Sequence, residues 1–370
     1  MLNRKLYVPF LKTRQQEILA LSRLAENAKD FVFPFFIVPK IEFDAESGKK
    51  PKTIEEHLII TVQRYSKHWG SRHAWLGFDE DLLGMSSESQ PSIVSFVFEK
   101  LRRQSARVIP AVNLSGTSHH VDCFARILKF DGNGCAFRVS WSELRKVDLN
   151  QKIEALCSRL SITKKEVDLV VECGSVDFES CEIFCNLLIQ HLKKIKGLSE
   201  FRSFVFCSTS FPENLSDILA ASRNTSVKER GVRKRGEWAF YKDFLLSEFA
   251  ASNLRVPNFS DYTTIHPNYS LADFDPTKMT SSGKIVYTTD TSWQVFKGWS
   301  FKHNSLKMHK MCEALKNEEF FEGAQASWSD KLIADCAVEK IGPRNPAVWK
   351  GAGINRHISR VVKDLSNLHG

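Results

Sequence analysis

A chain of 370 residues, 42% apolar and 26% charged, can bury a sizeable core and has the balance of a folded globular protein, not a disordered or fibrous one. Its net charge of +9 suits phosphate-bearing or other anionic partners, although solubility alone also selects a charge of that size. The longest apolar run, Phe31 to Val38, is broken by Pro34 and is far short of the roughly 20 residues that cross a bilayer, and Leu6 to Leu11 is too short for a leader, so the expectation is a cytoplasmic protein without a membrane partner.

The first apolar run, Leu6 to Lys12, reads as a strand, and Thr13-x-x-Gln16 predicts a capping box for a helix carrying Ile18, Leu21 and Leu24. Phe31 to Pro39 repeats the unit, followed by a helix opened by Thr53-x-x-Glu56 and ended by Gly70. Strands are then expected at His73 to Asp79, Val108 to Leu114, Cys135 to Trp141, Val167 to Val176, Ser203 to Phe211 and Asn258 to Ile265, each separated from the next by a helical pattern. Parallel neighbours need crossovers, and eight strands with intervening helices predict an α/β fold, a closed (β/α)8 TIM-like barrel; an open doubly wound sheet is the competitor. The barrel should occupy residues 1–275. Residues 276–370 read as a hairpin around Thr289 to Ser292 with a helical extension, packed on the barrel as one compact body. Nine cysteines without a C-x-x-C pair read as reduced thiols.

Tyr7-Val8-Pro9-Phe10-Leu11-Lys12, Val108-Ile109-Pro110, Ala136-Phe137-Arg138-Val139, Ser210-Phe211-Pro212, Asp261-Tyr262, His266-Pro267, Lys297-Gly298 and Gly353-Ile354-Asn355-x-His357 occur in the order found in one family. The chain resembles, over nearly its full length, the phage "beta protein" family of phages, prophages and mobile islands, which is distinct from the lambda recombination protein of that name. The resemblance implies a barrel-like fold and a mobile-element or antiviral-defence setting, with a partner protein from the same locus open, but no established reaction. The sequence departs from the family pattern where Pro34-Phe35-Phe36 is followed by Ile37 instead of a glutamate, where Lys297 replaces an arginine, and where Glu172 replaces an aspartate.

Ligands of such barrels sit at the C-terminal strand ends, which directs attention to Lys12, Asp79, Asn113, Arg138, Glu172, Asp261, Tyr262 and His266. Cations and carboxylates converging there could bind a phosphate-bearing small molecule, perform acid–base chemistry through Glu172, Asp261 and His266, or hold magnesium or manganese on Asp79, Glu172 and Asp261. Arg138 and Glu172 could instead simply pair inside the barrel. The basic run Lys228 to Arg235 is expected in a loop after the seventh strand, where Arg233, Lys234 and Arg235 could grip a phosphate or a nucleic-acid backbone. G-x-S-x-G, G-x-x-x-x-G-K and G-x-G-x-x-G motifs are absent. The leading expectation is a barrel protein recognising a phosphate-bearing ligand, with hydrolysis open to it; the alternative is a non-catalytic scaffold or interaction protein with a degenerate site.

Overall fold

The computed structural model describes residues 5–42, 53–85, 92–116, 118–269 and 281–370. In chain order it runs β1 (Val8–Lys12), α1 (Gln15–Ser22), α2 (Glu26–Lys29), β2 (Phe35–Val38), α3 (Ile54–His68), β3 (Ala74–Phe78), α4 (Glu80–Gly84), α5 (Ile93–Arg103), β4 (Val108–Asn113) and α6 (Ser118–Asp131). There follow β5 (Cys135–Ser140), α7 (Trp141–Leu144), α8 (Leu149–Leu160), β6 (Val167–Ser175), α9 (Cys181–Leu192), β7 (Ser203–Thr209), β8 (Leu219–Ala221) and β9 (Glu229–Lys234). α10 (Gly236–Ala239) continues through a π-helical stretch, Phe240–Leu245, into α11 (Leu246–Ala251), and the chain ends with β10 (Asn258–Asp261), β11 (Ser282–Thr288), β12 (Ser292–Ser300), α12 (Phe301–Asn304), α13 (Lys307–Lys316), α14 (Trp328–Ala337) and α15 (Pro346–Leu368).

Eight parallel strands close a barrel in the order β1-β10-β7-β6-β5-β4-β3-β2, as the alternation of strands and helices predicts. Side chains on a strand alternate between its faces. Phe10, Phe35, Trp75, Ile109, Ala136, Val170, Val205 and Tyr262 fill the barrel, while their neighbours in sequence face the helices. The N-terminal end is tied shut by buried Asp168, which accepts from Trp75 Nε1 at 2.9 Å, Arg202 Nη2 at 2.6 Å and Ser203 Oγ at 2.6 Å.

The capping expectations divide. Thr53 does cap α3, its hydroxyl accepting from Glu56 N at 3.0 Å, and Thr53→Ala should cost about 1 kcal/mol in urea unfolding. The Thr13 box does not form. Thr13 N still donates to Ile37 O at 2.9 Å, which holds it in the line of β1, and α1 starts after Arg14.

The largest correction concerns residues 228–235, which are not a loop. Glu229–Lys234 is strand β9, paired antiparallel with β12 and β8 in a sheet ordered β11-β12-β9-β8. This sheet is assembled from the chain that follows β7 and the chain that follows β10, so both connections leave the barrel at the C-terminal ends of its strands. Close approach explains Gly231: a Cβ there would lie 2.4 Å from Ile218 O. The expected hairpin is β11 and β12. The last helix closes the final βα unit, since Ile354, Ile358, Val361 and Leu365 join the barrel's core and α15 packs on α1 as well as β11. Gly353 permits that crossing, with its Cβ position 3.2 Å from Val286 O. Among the described residues no helix is long and apolar enough to cross a membrane.

Candidate functional site

A cavity of about 530 Å³ opens at the C-terminal strand ends, within the size range of small-molecule sites. Lys12, Asp79, Asn113, Arg138, Glu172, Tyr262 and His266, all expected there, line it. Ile37 lines it too, so the second strand presents an apolar side chain to the cavity.

Arg138 and Glu172 form its polar floor. Arg138 and Glu172 belong to neighbouring strands, Ser140 standing opposite Glu172 and Arg138 opposite Val170, so the guanidinium reaches the carboxylate diagonally. Nη2 donates to Glu172 Oε1 at 2.9 Å, Nε donates to Oε2, and the Tyr262 hydroxyl also donates to Oε1. Burial pushes the Glu172 carboxyl up, but the Arg138 charge and the bonds from Arg138 and Tyr262 outweigh it and hold Glu172 below its ordinary value. The carboxylate is therefore spent as a counterion. Arg138 Nη1 has no partner among the described residues, and the side chain keeps 26% exposure.

Lys12 Nζ donates to Tyr269 O at 3.2 Å and has no carboxylate within ion-pair distance among the described residues. Burial and neighbouring Arg14 lower its pKa, against the pull of Glu42 and Glu17. His266 is lowered by burial. Its Nδ1 accepts from Asn268 N at 3.2 Å, which leaves the proton of the neutral ring on Nε2 and makes His266 a donor instead of the expected base. The remaining carboxylates already have donors: Glu17 takes the Lys12 N–H at 2.7 Å, Glu80 takes Asn113 Nδ2 at 3.1 Å, Asp79 caps α4 through Asp81 N, and Glu143 closes a capping box with Ser140.

Asp261 lies elsewhere. Adjacent residues on a strand face opposite ways, and with Tyr262 inward Asp261 points out toward α15. It is fully buried, accepts from His357 Nε2 at 2.8 Å, from Thr263 N at 2.8 Å and from the Tyr7 hydroxyl, and these partners overcome burial to lower its pKa. The expected trio of Asp79, Glu172 and Asp261 therefore cannot share a magnesium or manganese ion, and Asp261 is no catalytic group of the cavity. Among the described residues no cluster of three or more His, Cys, Asp or Glu side chains could hold a metal.

The basic run is equally divided by its strand. Arg235 is 1% exposed, with Nη1 donating to Thr289 O, Asp290 O and Asp364 Oδ2, so it cannot meet a ligand on the surface. Arg230 pairs with Glu318 at 2.6 Å. Arg233 and Lys234 are exposed, and Arg233 Nε bonds Ser210 O at 3.1 Å. Lys297 pairs with Glu229 at 2.7 Å.

The model of one family, described as Beta protein, matches residues 7–363. The chain belongs to the Beta protein family. No curated protein matches it. A solved structure, the enoyl reductase domain of MlnA from the macrolactin cluster of Bacillus amyloliquefaciens, is 11% identical with 98% of this chain and 93% of that one covered, at a TM-score of 0.36. A likeness of that size supports no statement about activity.

Residues that sequence reasoning missed cluster at the rim: Arg14, Glu17, Glu42, Tyr269 and Lys350. Arg14, Glu17, Glu42 and Tyr269 follow the strand ends expected at Lys12, Pro39 and Ile265 by a few residues; Lys350 is brought from α15 by tertiary folding, and no local pattern marks it.

Proposed function

We propose that this Beta protein family member binds a small phosphate-bearing ligand, of nucleotide or sugar-phosphate size, at the strand ends. The observation that carries the reading is the mismatch between donors and acceptors in the cavity: its carboxylates are already engaged by protein groups, whereas Arg138 Nη1 and the Lys12 amine keep unspent protons. His266 Nε2 adds a third donor. Charge-assisted donors that converge on one space suit an oxyanion. Phe10 and Tyr262 supply an apolar wall against which a base or sugar ring can lie. A phage, prophage or defence locus is the setting that the family resemblance suggests.

Binding without chemistry fits this site better than hydrolysis. Glu172 is held ionised by Arg138, His266 is a donor, and Ile37 leaves no second carboxylate at the family position. A small ligand is also favoured over nucleic acid, because Arg233 and Lys234 alone of the expected three cations stay exposed, which would give a salt slope of no more than about two.

Thermal unfolding against a panel of nucleoside phosphates, sugar phosphates and their unphosphorylated counterparts tests the reading. A phosphate-bearing compound at roughly 100 times its Kd should stabilise by about 2.7 kcal/mol. Lys12→Met should weaken that binding by about 10- to 100-fold, the loss of one charged hydrogen bond. Stabilisation by the unphosphorylated compounds alone, or by none of the panel, defeats it.

A further inference from the structure

Beside the cavity, three cations gather around Tyr269 from three parts of the chain. Lys12 Nζ lies 3.2 Å from Tyr269 O, Arg14 Nη2 lies 3.4 Å from the same oxygen, and Lys350 Nζ sits 4.0 Å from the centroid of the Tyr269 ring. Two carboxylates accompany them, and Arg14 occupies both: Nε and Nη2 bond Glu42 at 2.7 and 2.6 Å, and Nη1 lies 3.5 Å from Glu17. Glu17 spends its other oxygen on the Lys12 main-chain N–H. The two amines are thus left over, one at the Tyr269 main-chain oxygen and one over its ring, both half-buried, and neither has a carboxylate within 4.0 Å among the described residues.

We propose that Lys12 and Lys350 form an oxyanion subsite at the cavity rim, which holds the doubly charged phosphate end of the ligand while the rest lies toward Arg138. This rests on the reading that the cavity takes a phosphate-bearing molecule. Two partly dehydrated ammonium groups without a carboxylate in direct contact oppose each other's charge, and three cations against the two carboxylates Glu17 and Glu42 leave an excess of positive charge that a dianion placed between the amines meets. Burial, followed by Arg14 and Lys12, brings Lys350 down to about 8 against the opposing pull of Glu17 and Glu42. Near pH 8 the amine is then half neutral. A bound dianion restores its affinity for a proton, so filling the subsite and protonating Lys350 are one linked event.

Sulfate is the probe, because it has the shape and charge of the phosphate dianion without a titrating proton. Calorimetric titration of the full chain with sulfate at pH 8, at constant chloride and in two buffers of different ionisation heat, should show uptake of about half a proton per site. Lys350→Met should abolish the uptake and weaken sulfate binding about tenfold, the value of one charge-assisted contact. Lys350→Arg should keep the binding and lose the uptake, since a guanidinium stays protonated. No sulfate binding by the wild type, binding without proton uptake, or unchanged uptake in Lys350→Met overturns the subsite. If Lys350→Met behaves as wild type while phosphate-bearing compounds still stabilise it in a Lys12-dependent way, the subsite falls and the functional reading stands.

Discussion

Arg138→Met should destabilise the protein by about 3–5 kcal/mol in urea unfolding, because it strands the Glu172 carboxylate at the cavity floor without its counterion. Glu172 is 10% exposed and accepts two guanidinium N–H groups; the Tyr262 hydroxyl alone cannot offset the loss of a full charge. The double variant Arg138→Met, Glu172→Gln should recover most of the cost, since a neutral amide needs no counterion and can still bond Tyr262. Ligand stabilisation should be missing from both variants. A cost below about 1 kcal/mol in the single variant would mean that water, and not Arg138, balances Glu172. Non-additivity is the decisive quantity, for a double variant as unstable as the sum of the two single ones would show that the residues do not form a unit.

The barrel is readable in the sequence because each strand and each helix buries enough apolar surface to impose its own period, and eight such pairs leave few ways to cover a parallel sheet. Arg138 stands out for the same reason, as a charge interrupting an apolar strand. Asp261 shows the limit of reading a strand end as a list of polar residues: Asp261 and Tyr262 are adjacent, and period-two geometry allows only one to enter the cavity. Strand β9 is misread for a different reason. Its sequence has the charge of a loop, and the partner that makes it a strand, β12, lies about 60 residues further on. Lys350 is further still from Lys12, so their meeting at Tyr269 depends on where α15 docks against α1. Local period sets elements and faces, whereas long-range docking sets which charges share a space.

Glu237→Gln should make the protein more stable than wild type at pH 8, by up to about 3 kcal/mol, with the difference vanishing toward pH 4. Glu237 is fully buried at the start of α10, where its Oε2 accepts from Ser210 N and Oγ at 3.1 and 2.6 Å and its Oε1 has no partner among the described residues. Burial, with Asp261 adding to it, raises its pKa from 4.5 to about 7, against the opposing effects of Arg235 and the Ser210 bonds. Folding therefore takes up a proton at this site. The stabilisation from that uptake is fully present below the unfolded value of 4.5, and it declines as pH rises until it is lost above about 7, where the folded protein must carry a buried carboxylate. A side-chain amide in its place would keep an oxygen for Ser210 and carry no charge to bury, so the variant should not show this decline. Urea unfolding of both proteins between pH 4 and 9 measures the difference, and parallel curves would mean that Arg235, whose Nε and Nη2 are also buried and without a partner among the described residues, already balances the charge through a rearranged contact.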